Sequence, residues 1–238
     1  MKSANPFVTD LIKQGVLKTP RIIEAFRKIN RADFVPPELK KDAYADNPLS
    51  IGEGQTISQP YTVAFMIELL QPKLGDKIFE IGFGSGWQTA ILAYIISENG
   101  SKSEARSPKS KTKGIIYAVE RIEKLFEFGT KNISKYNFIK KRIVRTIFGD
   151  ATIGLKKYAP FDKIIAAASG KKVPEAWLSE LKVGGRLVVP IKNSIWLYIK
   201  KSSPTKISKG NLGGQEEFKK QEFPGFVFVS LIGGEKRS

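Results

Sequence analysis

The chain has 238 residues, 41% of them apolar, and a formal net charge of +17, so one core with additions is expected rather than two full domains. It has neither cysteine nor histidine, which excludes disulfides, thiolate metal sites and cysteine nucleophiles and removes the commonest general base and metal ligand. Its lysines and arginines are scattered, with local enrichment from Lys102 to Arg145 and no stripe interleaved with aromatics, so the charge reads as a solvated surface and no specific nucleic-acid partner is expected.

The N-terminal stretch Met1-Lys2-Ser3-Ala4-Asn5-Pro6 lacks the apolar centre of a signal peptide, and no apolar run approaches a membrane span. A cytoplasmic protein with no membrane partner is expected. Over residues 8–30, Ile12, Val16, Ile22, Ile23, Ala25, Phe26 and Ile29 fall at helix-like spacings, with a break near Thr19-Pro20. Asp33-Phe34-Val35-Pro36-Pro37 stops that run. Tyr44 to Pro60 reads as loop, and Tyr61 to Leu70 as helix ending before Pro72.

The chain then alternates. Lys77–Ile81 reads as strand, Trp87–Ile96 as helix, Gly114–Val119 as strand, Ile122–Tyr136 as helix and Ile143–Phe148 as strand. A short helical stretch near Ile153–Lys157 precedes strand Phe161–Ala167, helix Pro174–Leu181 and strand Gly185–Ile191. Ile195–Ile199 and Phe226–Ile232 read as edge strands able to pair antiparallel. Ser97–Lys113 and Ser202–Gln221 are poor in apolar residues and read as flexible insertions. The expected fold is α/β: a Rossmann-like, doubly wound, mostly parallel sheet with an antiparallel edge, helices on both faces and an N-terminal helical extension.

In such a sheet, ligands bind beyond the carboxyl ends of the strands. After the first core strand comes Glu80-Ile81-Gly82-Phe83-Gly84-Ser85-Gly86-Trp87, a glycine turn leading into a helix. Glycines admit positive φ and let a ligand lie against bare backbone, and open N–H groups at a helix start favour polar ligand groups. The dinucleotide fingerprint needs a third glycine where Trp87 stands. The observed Glu-x-Gly-x-Gly-x-Gly form instead resembles motif I of the S-adenosylmethionine (SAM) methyltransferases. Glu80 is placed either to brace this turn or to contact the amino-acid end of a cofactor.

Glu120 follows the second strand. It is placed to accept both hydroxyls of a ribose, or to pair with Arg121 or Lys124 at the surface. Asp150, after the third strand, reads first as a helix N-cap, though a carboxylate there also suits an adenine amino group, with Ala151 beside it.

The loop Gly52-Glu53-Gly54-Gln55-Thr56-Ile57-Ser58-Gln59-Pro60 carries the G-x-G-Q-T-I-S-Q-P signature, and with it the chain resembles the protein-L-isoaspartate O-methyltransferase family. Ala32-Asp33-Phe34-Val35-Pro36, Gly82–Ala90, Ala159–Ile165 and Leu181–Pro190 extend the resemblance from about Ile22 to Ile191, with an echo at Phe228–Gly233. The resemblance implies a SAM-dependent carboxyl methyltransferase that repairs isoaspartyl-containing peptides and proteins; a monomer is expected. It implies a helical extension and active-site loop over 1–60 and a methyltransferase domain over 61–238.

Ser58 takes the place of the family's active-site hydroxyl. Gln55, Thr56 and Ile57 lie in the loop over cofactor and substrate. Gly82 and Gly84 face the methionine part of SAM, Glu120 the ribose, and Asp150 with Ala151 the adenine. Departures are Glu53 for a frequent His, Trp87 for Tyr, Ala167-Ala168-Ser169-Gly170 for a run ending in Pro, a closing strand without Arg and Pro, and a long 97–113 segment.

The chemistry suits a chain without histidine, because the acceptor carboxylate, with a reference pKa of about 4, is already ionised at neutral pH. Two alternatives are a nucleic-acid methyltransferase and a catalytically weak SAM-binding module. Ala166-Ala167-Ala168-Ser169 lacks the Asn/Asp-Pro-Pro-aromatic motif of amino-nitrogen methylation.

Overall fold

The structure is a computed structural model that describes residues 5–97, 113–202 and 217–231. The insertion expected at 97–113 lies almost wholly outside the described residues, as does most of that expected at 202–221. No helix among the described residues is long and apolar enough to cross a membrane.

Helices α1 (Val8–Lys13) and α2 (Pro20–Lys28) open the chain. Two short strands, β1 (Leu49–Gly52) and β2 (Gln55–Ile57), pair antiparallel and lead into α3 (Pro60–Leu70). Then come β3 (Lys77–Ile81), α4 (Trp87–Ile96), β4 (Ile115–Glu120), α5 (Glu123–Ser134) and β5 (Val144–Phe148). The second half holds β6 (Phe161–Ala166), α6 (Glu175–Ser179), β7 (Leu181–Ile191), β8 (Ser194–Lys200) and β9 (Phe218–Pro224).

The main sheet has the order β5-β4-β3-β6-β7-β8-β9. Strands β3 to β7 run parallel, and β8 and β9 close the edge antiparallel. The winding reverses between β3 and β6, and this switch point puts a crevice at the carboxyl ends of those strands. Both faces of the central strands are covered. Ile78, Ile116, Ile165 and Val188 pack towards one apolar cluster, while Phe79, Tyr117, Ile164 and Leu187 pack towards the other. That is why β3 and β4 read as nearly continuous apolar runs rather than alternating ones.

Helix α4 is buried along its whole length. A helix apolar all round needs cover on its outer side, and α2 supplies it. Arg21 Nε on α2 donates to the Ile95 carbonyl, satisfying an acceptor that the end of α4 leaves open. Tyr94 Oη donates to Glu24 Oε1 at 2.9 Å. The N-terminal elements therefore share one core with the sheet.

Three sequence expectations differ from the structure. The loop expected from Tyr44 to Pro60 contains the β1–β2 hairpin, whose turn Gly52-Glu53-Gly54 has positive φ throughout. Two strands of four and three residues are too short to show a period in sequence.

The antiparallel edge strand expected at Phe226–Ile232 is replaced by β9, so residues 218–221 of the expected insertion are strand. β9 carries exposed Lys219, Lys220 and Glu222; a charged edge discourages pairing with other chains and hides the strand from a search for apolar runs. Phe226 and Phe228 instead pack against the core, Phe226 5.1 Å from the Phe65 ring. Ser230 forms an isolated parallel bridge with Ser169 above the sheet; Ile232 lies outside the described residues. Finally, the short helix near Ile153–Lys157 is two 3-10 turns, Ala151–Ile153 and Lys156–Tyr158.

Candidate active site

The floor of the crevice is the glycine turn after β3. Gly82 has a φ of +74°, and a side chain built there would meet no atom within 4 Å, so its face is open. Gly86 is different: a Cβ would come within 2.6 Å of Ile133 and 2.9 Å of the Gly129 carbonyl. From the other side, a Cβ on Gly129 would sit 2.3 Å from the Gly84 carbonyl. The turn is thus clamped onto α5 by mutual absence of side chains, and Asn132 Nδ2 adds a bond to the Ser85 carbonyl at 3.1 Å. These contacts shape the turn before any ligand arrives.

Glu120 stands at the end of β4, almost wholly buried. Its Oε2 accepts from the Gly84 N–H at 3.1 Å, and its Oε1 from the N–H groups of Arg121 and Ile122 at 2.8 and 3.0 Å. The surface pairing open in the sequence is not formed by this residue. Lys124 pairs instead with Glu53 at the hairpin turn, 2.8 Å away, and that contact raises the lysine pKa. Asp150 is the N-cap of the following 3-10 turn: Oδ1 accepts from the Thr152 N–H and hydroxyl at 2.9 and 2.7 Å. Trp177 Nε1 donates to the Ala151 carbonyl at 2.7 Å, which fixes that corner from beneath.

Glu80 is fully buried behind the turn. Gln88 Nε2 donates to its Oε1 at 3.1 Å, whereas Oε2 has no hydrogen-bond partner. Burial pushes this carboxyl up to about 7; Thr89 and Gln88 pull it down in part, and the Glu120 charge adds to the rise.

The opposite wall comes from distant parts of the chain. Gln55, Thr56, Ile57 and Ser58 descend from β2, and Val229, Ser230 and Leu231 arrive from the C-terminal side. The latter are held by Ser169, whose N–H donates to the Val229 carbonyl at 2.8 Å and whose carbonyl accepts from the Leu231 N–H at 2.7 Å. Together these walls line one crevice that is open at its mouth.

All ten residues singled out in the sequence line this one cavity: Gln55, Thr56, Ile57, Ser58, Glu80, Gly82, Gly84, Glu120, Asp150 and Ala151. Sequence reasoning missed Gln88, Thr152, Arg121 and Leu125, which also line it. Gln88 carries a usable signal, since it stands in the first turn of the helix that the glycines introduce. The 229–231 wall carried only its weak family echo.

The charged lining consists of three carboxylates, Glu80, Glu120 and Asp150, against one guanidinium, Arg121. In a chain of net charge +17, this acidic pocket disfavours the phosphates of a dinucleotide and suits a cation carrying hydroxyl and amino groups. The sulfonium, ammonium and ribose of SAM match that description.

The family model described as protein-L-isoaspartate(D-aspartate) O-methyltransferase matches residues 2–233. Similar curated proteins include a protein-L-isoaspartate O-methyltransferase from Methanopyrus kandleri, 36% identical over 93% of this chain and 87% of its own. Another, from Flavobacterium psychrophilum, is 38% identical over 96% of this chain and 93% of its own. A solved protein-L-isoaspartate O-methyltransferase superposes with a TM-score of 0.75 at 25% identity, covering 95% of this chain and 65% of the other. A Plasmodium falciparum structure described as the same enzyme, in complex with S-adenosyl-L-homocysteine, has the same fold at a TM-score of 0.75 and 21% identity, over 98% of this chain and 99% of its own. Fold, cavity and sequence agree: the chain belongs to the protein-L-isoaspartate(D-aspartate) O-methyltransferase family.

Proposed function

We infer that this protein transfers the methyl group of SAM to the free carboxylate of L-isoaspartyl residues in damaged peptides and proteins. The observation that carries this reading is the meeting, in one acidic cavity, of the glycine turn, Glu120 and the Gln55–Ser58 segment. When bound, SAM supplies a methyl group on a sulfonium, whose carbon–sulfur bond breaks with both electrons going to sulfur as an acceptor oxygen attacks.

The chain's own residues position the partners. Gly82 and Gly84 offer bare backbone to the methionine part. Glu120, already oriented by three N–H groups, accepts from the ribose hydroxyls. Asp150 and Ala151 take the adenine edge. Glu80 places a buried carboxyl behind the turn, near the cationic end of the ligand. Gln55, Thr56 and Ile57 cover the reacting atoms, and the Ser58 hydroxyl, which makes no hydrogen bond among the described residues, donates to the acceptor carboxylate and orients it. No residue has to remove a proton, because the acceptor is already an anion. Alignment of the two reactants is then the main contribution, and positioning of this kind is worth several kcal/mol.

In the family chemistry, the methyl ester is next attacked by the following backbone nitrogen. Methanol leaves, and the resulting succinimide hydrolyses partly to normal aspartate. The functional unit is a helical extension with its active-site loop over 1–60 and the methyltransferase domain over 61–238. We read it as a monomer acting in the cytoplasm.

The test uses tritiated methyl-SAM with two peptides that differ only in carrying an isoaspartyl or a normal aspartyl residue. Base-labile volatile label from the isoaspartyl peptide alone is expected. Label entering RNA instead would transfer the assignment to nucleic-acid methylation, and SAM binding without transfer would reduce the protein to a binding module.

A further inference from the structure

Arg31 opens a short 3-10 turn after α2 and is completely buried. It makes no ion pair among the described residues. Its two terminal nitrogens donate to backbone carbonyls, Nη1 to Ala43 and Ala45 at 3.0 and 3.2 Å and Nη2 to Asn47 and Ser58 at 2.9 and 3.1 Å, while Nε has no hydrogen-bond partner. The guanidinium carbon lies 5.3 Å from the Trp87 ring centre, and Trp87 lines the cavity at the head of α4. Asp46, within the segment that Arg31 grips, accepts from the Tyr61 N–H at 2.8 Å and so fixes the start of α3.

Burying a guanidinium is costly: desolvation lowers the Arg31 pKa to about 10, and the nearby Asp46 charge offsets this only in part; an apolar side chain of similar volume usually serves stability as well or better. What an apolar residue cannot do is hold four carbonyls at set angles. The Ser58 carbonyl needs such a partner. Residue 57 is paired across the hairpin with Leu49, and the Gln59 carbonyl accepts from Val63 in α3. Ser58 lies between them, in neither element. Fixing its carbonyl fixes its peptide plane, and with it the direction from which the side chain hangs into the cavity.

We propose that Arg31 is a positioning residue for the methyl transfer: by gripping the Ser58 carbonyl together with the 43–47 segment, it holds the Ser58 hydroxyl over the acceptor carboxylate. This rests on the role of Ser58 given above. Lysine does not substitute, because a single ammonium cannot span four carbonyls in a plane.

A double-mutant cycle with R31K and S58A tests the link. The turnover number is measured on the isoaspartyl peptide at saturating SAM, at a temperature well below each variant's Tm, alongside the Kd for S-adenosyl-L-homocysteine. R31K is expected to lower kcat by roughly 10- to 100-fold, the scale of a misplacement of about 1 Å, and to leave the Kd within about threefold. The double variant should be no slower than the worse single variant within about threefold, because both remove one function. Losses that multiply, an R31K enzyme with unaltered kcat, or a Kd that weakens in step with kcat would overturn the proposal. An S58A enzyme with full turnover would instead remove Ser58 from the mechanism, and the proposal with it, so the two failures are distinguishable. If R31K does not fold, 15N NMR of the unmutated protein decides. Separate Nη1 and Nη2 signals for Arg31 are expected from a guanidinium held against rotation, and one averaged signal would contradict the grip.

Discussion

The two walls of the cavity are built in different ways. The donor wall lies along the carboxyl ends of parallel strands: Glu120 ends β4, Gly82 and Asp150 come just after β3 and β5, and local contacts with α5 and Trp177 finish their placement. The acceptor wall is a patchwork. Ser58 follows a hairpin whose two strands together hold seven residues, and Ser230 comes from a segment bridged to Ser169. These pieces are held by long-range ties, from Arg31 on one side and Ser169 on the other. The donor wall is therefore rigid by topology, and the acceptor wall by a few long-range hydrogen bonds. On the proposed assignment, the cofactor would lie on the first and the choice of substrate would fall to the second.

If the division holds, changes to the donor wall move SAM affinity and leave the acceptor's KM nearly untouched. Glu120→Ala should have the largest effect. On the proposed assignment it removes a ribose acceptor, and it frees the Gly84 N–H; hydrogen bonds to a charged group are worth about 1.5–3 kcal/mol. Calorimetry should find SAM bound about 10- to 100-fold more weakly. An unchanged Kd would remove Glu120 from the ribose site.

Gly129→Ala should come next. The new methyl would collide with the Gly84 carbonyl and the Phe83 ring, an overpacking that costs about 1–3 kcal/mol. A lowered Tm, together with weaker SAM binding, is expected in a thermal melt. A Tm and Kd equal to the parent's would mean that the turn is not clamped by α5.

The smallest effect concerns pH. Burial raises the Glu80 carboxyl from its ordinary 4.5 to about 7 in the folded chain. The folded state therefore holds the proton more tightly than the unfolded one. The stability this contributes is complete below pH 4.5 and is lost as pH rises through about 7. A sulfonium favours the ionised carboxylate, whereas the neutral thioether of the product does not. The ratio of SAM to S-adenosyl-L-homocysteine affinity should accordingly rise severalfold between about pH 6 and 8. The chain has no histidine to mimic that titration. Glu80→Gln should flatten the dependence; a slope that survives the substitution would place its origin elsewhere.

The same division explains what was legible in the sequence. Lys77–Ile81 and Trp87–Ile96 have the bounds the pattern predicts, because a strand buried on both faces and a helix buried all round leave unbroken apolar runs punctuated by glycine. The positions after each strand follow from topology, which is why Glu120 and Asp150 were legible as cavity residues before any geometry was known. The hairpin was hidden by its shortness and β9 by its charge. Arg31 was invisible for another reason. An arginine just past a helix reads as solvent-facing, and the carbonyls it binds, at residues 43 to 58, come together only once the chain is folded. Ser58 was found through its family signature alone; the physics of its neighbourhood in sequence says only that a helix begins nearby.

The most direct measurement is a crystal structure of the protein with S-adenosyl-L-homocysteine and an isoaspartyl peptide bound. The account predicts ribose hydroxyls on Glu120, adenine beside Asp150 and Ala151, and the Ser58 hydroxyl within hydrogen-bonding distance of the peptide's side-chain carboxylate. A product molecule lying elsewhere, or a Ser58 side chain turned away from that carboxylate, would contradict it.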